Sequence, residues 1–248
     1  MPAELLPPSA ALVEDLVAAN HILVHEGVLD AFGHVSVRHD QNPDTFLLAR
    51  NMAPGQVRAG DILQYALDGT PLDAGDRRVY LERFIHGAIY RARPDVMAVV
   101  HSHSPSVVPF SVSRKARLRP VCHMSGFLGA GAPTFEIRDV AGDATDLLIR
   151  DDGLGRALAT SLGSANFVLM RGHGSTTTAS SLKLVVYRAV YAEVNARLQL
   201  QALQLGDPEY LTAGEAEAAV ANVEGQVERP WALWKERAQR ALAESRVS

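Results

Sequence analysis

His101 and His103 stand two apart at the end of an apolar run, Val96 to His101. In a strand the side-chain period is two, so both imidazoles leave the same face, as two cis ligands of a metal ion must. Alone, such a pair is a weak signal, better read as two polar residues closing a strand. His173 adds a third donor. It lies between Gly172 and Gly174 just after a second apolar run, Asn166 to Met170, and flanking glycines let the backbone turn sharply and approach closely. Glu82 adds a carboxylate at the start of the helical pattern preceding the His101 strand, although a first-turn glutamate is also what the helix dipole favours. His86 lies four residues on and shares its face. It either orients Glu82 or is a core histidine. Three neutral imidazoles leave a divalent ion its full charge and open positions for substrate, and a neighbouring carboxyl can move a proton. Such a set accepts zinc, manganese, iron or cobalt, with zinc and manganese the expected cofactors.

The elements that must position these residues follow from periodicity and punctuation. Ser9 to Glu26 reads as a helix ended by Gly27, and Tyr80 to Arg93 as a helix ended by Pro94. Val35 and Val37 alternate with Ser36 and Arg38 as in a strand, with further strands at Phe46 to Leu48 and Asp61 to Tyr65. A short helix is expected over Ser104 to Val112, with Pro105 in its first turn, and a loop from Met124 to Pro133. A helix follows over Asp151 to Ser161, and a strand over Ser175 to Thr178. Ser181 is expected to cap a long, mostly buried helix from Leu182 to Leu205, stopped by Gly206 and Pro208, with one or two helices after it. Short strands in runs between helices predict one α/β domain with a largely antiparallel or mixed sheet.

Bulk properties set the limits. The 248 residues are 47% hydrophobic, enough for one sizeable core, and the net charge of −4 with no long basic run gives no reason to expect nucleic acid or a membrane surface as partner. The opening Met1 to Pro8 lacks the basic and apolar regions of a secretory signal, and the single Cys122 allows no intrachain disulfide, so a cytoplasmic protein is expected. Cys122 reads as a small core residue.

Taken together, Gly33-His34-Val35-Ser36-Val37-Arg38, Glu82 with His86 and Tyr90, Pro94-Asp95-Val96 leading to His101-Ser102-His103, Arg171-Gly172-His173-Gly174, and Tyr191-Ala192-Glu193 with Ala196 resemble the class II aldolase/adducin family. The resemblance spans about residues 10–240. It implies a single three-layer α/β/α sandwich over residues 1–248, with His101, His103 and His173 binding the metal. Glu82 would be an acid/base that can also touch the ion. It further implies a homotetramer with active sites at subunit interfaces, the C-terminal helices (residues 208–245) lying there. Tyr210, Trp231 and Trp234 are candidates to complete a neighbour's site.

Departures from the sugar-phosphate aldolases narrow the substrate. Those enzymes have Gly-Asn where this chain has Gly33-His34, a Thr-Gly phosphate loop in place of Asn51-Met52-Ala53-Pro54, and two serines in place of Tyr80-Leu81. The neutral donors that cradle a phosphate are gone. The residues present instead resemble the branch that decarboxylates hydroxylated aromatic or pyridine dicarboxylates. Retro-aldol cleavage and decarboxylation ortho to a hydroxyl both leave electrons that delocalise as an enolate, which a Lewis acid stabilises. The expected activity is therefore carboxy-lyase, with Glu82 as catalytic proton donor and His34, Arg38, Asn51 and His123 as candidate substrate-binding groups. The alternatives are an aldolase or lyase acting on an unphosphorylated sugar or hydroxy acid, and a non-catalytic adducin-like assembly module, for which the full Glu82–His101–His103–His173 set would be superfluous.

Overall fold

A computed structural model describes residues 5–244; the first four residues of the N-terminal segment and the last four of the chain lie outside the described residues. In chain order come α1 (Ala10–His25), β1 (His34–Arg38), β2 (Thr45–Ala49), β3 (Ile62–Ala66), α2 (Arg83–Ala92), β4 (Ala98–Ser102) and α3 (Val108–Val112). They are followed by β5 (Thr134–Phe135), α4 (Arg138–Ala141), α5 (Asp152–Leu162), β6 (Phe167–Met170), β7 (Gly174–Ala179), α6 (Leu182–Leu205), α7 (Ala213–Val223) and α8 (Glu228–Glu244). The caps explain several boundaries. Ser9, Asp151 and Ser181 each accept a first-turn N–H, from Leu12, Leu154 and Leu184.

The strands form one sheet in the order β3-β2-β1-β4-β7-β6-β5. Every pair is antiparallel except β5–β6. Successive side chains of a strand face opposite ways, and the two faces bury different apolar clusters. Val35 and Val100 pack with Leu16, Leu23 and Val186 of α1 and α6 and with Trp231 and Trp234 of α8. Phe46 and Val99 pack with Ile85 and Ile89 of α2 and Leu158 of α5. Helices thus cover both faces, giving the expected α/β/α sandwich. Among the described residues no helix is long and apolar enough to cross a membrane.

Three local expectations change. α2 starts at Arg83 rather than Tyr80: Tyr80 is irregular, Leu81 and Glu82 form a turn, and Glu82 is the N-cap residue, its side chain making no cap bond. The helix after His103 is confined to Val108–Val112 and takes Pro109, not Pro105, into its first turn. The expected loop at 124–133 overlaps a 3-10 helix, His123–Leu128, that packs beside α6 and α7.

The central place of β4 matters most for function. His34 of β1 lies opposite His101, and Thr176 of β7 flanks His101 on the other side. These residues share the sheet face that α2 covers, so α2 is the element able to bring a carboxylate onto the histidines.

Candidate metal centre

At the end of β4, His101 Nε2 lies 3.1 Å from His103 Nε2, which lies 3.0 Å from His173 Nε2. Glu82 Oε2 stands 3.5 Å from the His101 nitrogen and 3.6 Å from that of His173. One donor atom from each of the four residues lies within 4.8 Å of the others. His103 falls just past the strand, yet its imidazole still converges with that of His101.

The outer partners fix which nitrogens point inward. Nδ1–H of His101 donates to the Ser175 carbonyl at 3.1 Å, and Nδ1–H of His173 to the Leu147 carbonyl at 3.0 Å. A neutral imidazole has one N–H, so both rings turn a bare Nε2 toward the cluster. Burial, then the neighbouring histidines, hold His101 well below its ordinary pKa; burial lowers His103, and lowers His173 to about 4. These are neutral imidazoles, and the convergent lone pairs lack enough protons to bridge them. A divalent cation at their meeting point satisfies this donor set.

Glu82 is buried, which pushes its carboxyl up to about 7, opposed by a hydrogen bond from the Ile149 N–H to Oε1 at 2.9 Å. The same short stretch serves two residues: Leu147 holds His173 and Ile149 holds Glu82. Leu147 is the only described non-glycine residue with positive φ, at 70°. That conformation is costly for a branched side chain, and here it aims the Leu147 carbonyl at His173.

Gly174 is required by close approach. A Cβ there would stand 2.2 Å from the Ser102 carbonyl oxygen and 3.0 Å from His103 Cδ2. Gly174→Ala is expected to cost about 1–3 kcal/mol through overpacking and to move His103 out of register. Thermal unfolding together with elemental analysis checks this; unchanged melting and full metal content would refute it.

A cavity of about 330 Å³ opens beside the centre, bordered by Phe32, Gly33, His34, Asn51, Met52, Tyr80, Leu81, Glu82, His103 and Leu148. The structure therefore gathers His34 and Asn51 with Glu82 and the histidines. None of the cavity's lining residues is Lys or Arg. Burial holds His34 well below its ordinary pKa.

Other sequence candidates lie elsewhere. Arg38, four residues along β1 from His34, spends its guanidinium on the carbonyls of Val96, Pro43, Tyr90 and Arg93. It clamps the end of α2 to the sheet, so its candidacy as a substrate ligand is corrected. His123 is exposed and borders a separate cavity with Tyr191, Arg229 and Trp234. Trp231 and Trp234 are buried in this chain's own core, and Tyr210 packs against the Arg119 guanidinium, 4.1 Å from its ring centroid, and bonds Gln199. The His86 ring spends both nitrogens on His34 and Ser36 rather than on Glu82. Glu193, in the Tyr191-Ala192-Glu193 motif, accepts the Ser106 N–H at 3.0 Å and so ties α6 to the turn after His103. The backbone partners Ser175, Leu147 and Ile149 were not anticipated, because any residue can offer a carbonyl or an amide.

The family model described as Class II Aldolase and Adducin N-terminal domain matches residues 14–200. A protein named Decarboxylase tropJ, from Talaromyces stipitatus, is 37% identical over 92% of this chain and 94% of its own. A 3,4-dihydroxyphthalate decarboxylase from Arthrobacter keyseri is 30% identical over 78% of this chain and 79% of its own. Among solved structures, L-fuculose 1-phosphate aldolase from Glaciozyma antarctica superposes with a TM-score of 0.74 over 96% of both chains at 23% identity, a likeness of fold.

Proposed function

The chain belongs to the class II aldolase and adducin family, and from that premise we propose that it is a divalent-metal-dependent decarboxylase of a hydroxylated aromatic or pyridine dicarboxylate. The observation that carries this reading is the pairing of the four-residue donor cluster with a cavity walled by Phe32, Tyr80, Leu81 and Leu148 and lacking Lys or Arg. Flat apolar walls suit a ring, and the absence of a cationic or Thr-Gly cradle argues against a phosphate. The relatives named as decarboxylases support the same choice.

His101, His103 and His173 would hold the ion, zinc or manganese, which supplies when bound a positive centre for the charge that builds on substrate oxygens. The chain's own groups do the rest. Ser175 and Leu147 carbonyls keep the imidazoles turned inward. Glu82, whose carboxyl burial pushes up to about 7 so that a share of it carries a proton near neutrality, delivers its proton, directly or through a water, to the ring carbon that bears the departing carboxylate. The bond to that carboxylate then breaks, carbon dioxide leaves, and the electron pair restores aromaticity. His34 and Asn51, which also line the cavity, would hold the rest of the substrate.

The working enzyme is proposed to be a cytoplasmic homotetramer with active sites at subunit interfaces formed in part by residues 208–245. In such an assembly the exposed His123 can serve a neighbouring copy, which its own chain's geometry does not allow.

Turnover in deuterium oxide tests the proton step. The product should carry one deuterium at the vacated ring position. A carbonyl fragment from carbon–carbon cleavage of a sugar or hydroxy acid, with no ring deuteration, would contradict the reading.

A further inference from the structure

Beside the metal donors runs a second line of buried polar groups, of which the proposed reaction uses only the His34 end. It begins at Tyr90 in α2, crosses to Ser36 in β1, returns to His86 in α2 and ends at His34 on the cavity wall. Tyr90 OH lies 2.7 Å from Ser36 Oγ, Ser36 Oγ 2.6 Å from His86 Nδ1, and His86 Nε2 2.6 Å from His34 Nδ1. All four residues are buried, with exposures of 1%, 0%, 0% and 4% in that order.

A chain of this kind can point either way, and its buried end decides. The phenol has one hydrogen, and Ser36 Oγ is the acceptor in reach. If Ser36 donated instead, the Tyr90 hydrogen would be buried with no acceptor, and a buried donor left unmade bears its full desolvation cost. Tyr90 therefore donates to Ser36, and Ser36 passes its own hydrogen to His86 Nδ1. The His86 hydrogen then sits on Nε2 and is given to His34 Nδ1. A neutral His34 is left with its hydrogen on Nε2, the edge that has no protein partner and borders the cavity. Arg38 anchors the buried end. Its guanidinium donates to the Tyr90 carbonyl at 2.7 Å and lies 4.9 Å from the centroid of the phenol ring, a cation placed to strengthen the phenol as a donor.

We infer that Tyr90, Ser36 and His86 are positioning residues that lock His34 as the Nε2–H tautomer, so that it presents one fixed N–H donor to a carboxylate oxygen of the bound substrate. The cavity offers no Lys or Arg for that carboxylate, so a pre-aimed neutral donor has a task there. The identity of the oxygen rests on the decarboxylase reading; the tautomer does not. The design also explains why α2 carries His86 and Tyr90 one turn apart, both facing Ser36.

Histidine labelled with nitrogen-15 in the zinc-loaded protein reports the tautomer through its two ring nitrogen shifts, with His34→Gln and His86→Gln giving the assignments. Both rings should carry hydrogen on Nε2. Either ring found with hydrogen on Nδ1 would overturn the inference. Tyr90→Phe should keep the fold and the zinc yet give His86 both tautomers; a single unchanged tautomer would overturn the role of Tyr90. With 3,4-dihydroxyphthalate as probe, His34→Phe should weaken binding about tenfold or more, as loss of a hydrogen bond to a charged group does. His34→Gln, which keeps a donor near the same place, should recover most of that loss. Equal weakening in both variants would contradict a donor role. Absence of carbon dioxide release with the tautomers as stated would sink the decarboxylase reading and leave the tautomer lock standing.

Discussion

His101→Ala and His173→Ala will each strip the protein of bound divalent metal. Loss of an outer hydrogen-bond partner of a metal ligand costs roughly 10–100-fold in affinity, and loss of an inner ligand should exceed that. Each imidazole is one of three neutral nitrogens converging within 3.1 Å of a neighbour, so neither has a replacement in place. Activity should fall with the metal. The buried positions differ in one respect. His101 is fully buried in the central strand, whereas His173 sits in a half-buried turn between Gly172 and Gly174, so His101→Ala should also lower the melting temperature further. Elemental analysis of purified protein checks the metal claim. Stoichiometric metal in both variants would end it.

Glu82→Gln separates chemistry from architecture. The amide oxygen can still accept the Ile149 N–H that now bonds Oε1 at 2.9 Å, and the shape of the side chain is kept. The three imidazoles remain. Fold and metal content should therefore stay close to those of the parent protein, while kcat drops by about 10²–10⁴, the usual share of a positioned proton donor. The fall should appear in kcat with KM little changed, because the group acts in the transition state rather than in substrate binding. A variant with full turnover would remove Glu82 from the proton step.

The residues that could do chemistry were legible early. A His-x-His pair at the end of an apolar run, a histidine between glycines after another, and a glutamate at the start of a helical pattern are local signals. The cap at Ser181 was equally local and equally readable. What sequence could not convey was how donors and acceptors are spent. Arg38 reads as a free cation on a strand, but carbonyls from Pro43, Tyr90, Val96 and Arg93 absorb it. His86 was placed on the face of Glu82 by helical spacing, and the spacing fails because Glu82 caps the helix instead of lying within it. Its true partners come from β1. Ile149, the partner of Glu82, lies 67 residues away and contributes a backbone amide, which leaves no signature in the sequence. The edge strand Thr134–Phe135 is two residues long, too short for any period to show.

The fold is shared with enzymes that cleave sugar phosphates, so fold alone does not choose the reaction. The choice we propose rests on the cavity wall, which is lined by His34, Asn51, Tyr80 and Leu81 and by no Lys or Arg. The most direct measurement is release of carbon dioxide from a panel of hydroxylated phthalates and hydroxypyridine dicarboxylates by the protein loaded with manganese or zinc. The expected result is metal-dependent release from at least one member, abolished by chelation. No release across the panel, with an aldehyde or ketone formed from unphosphorylated sugars or hydroxy acids, would contradict it.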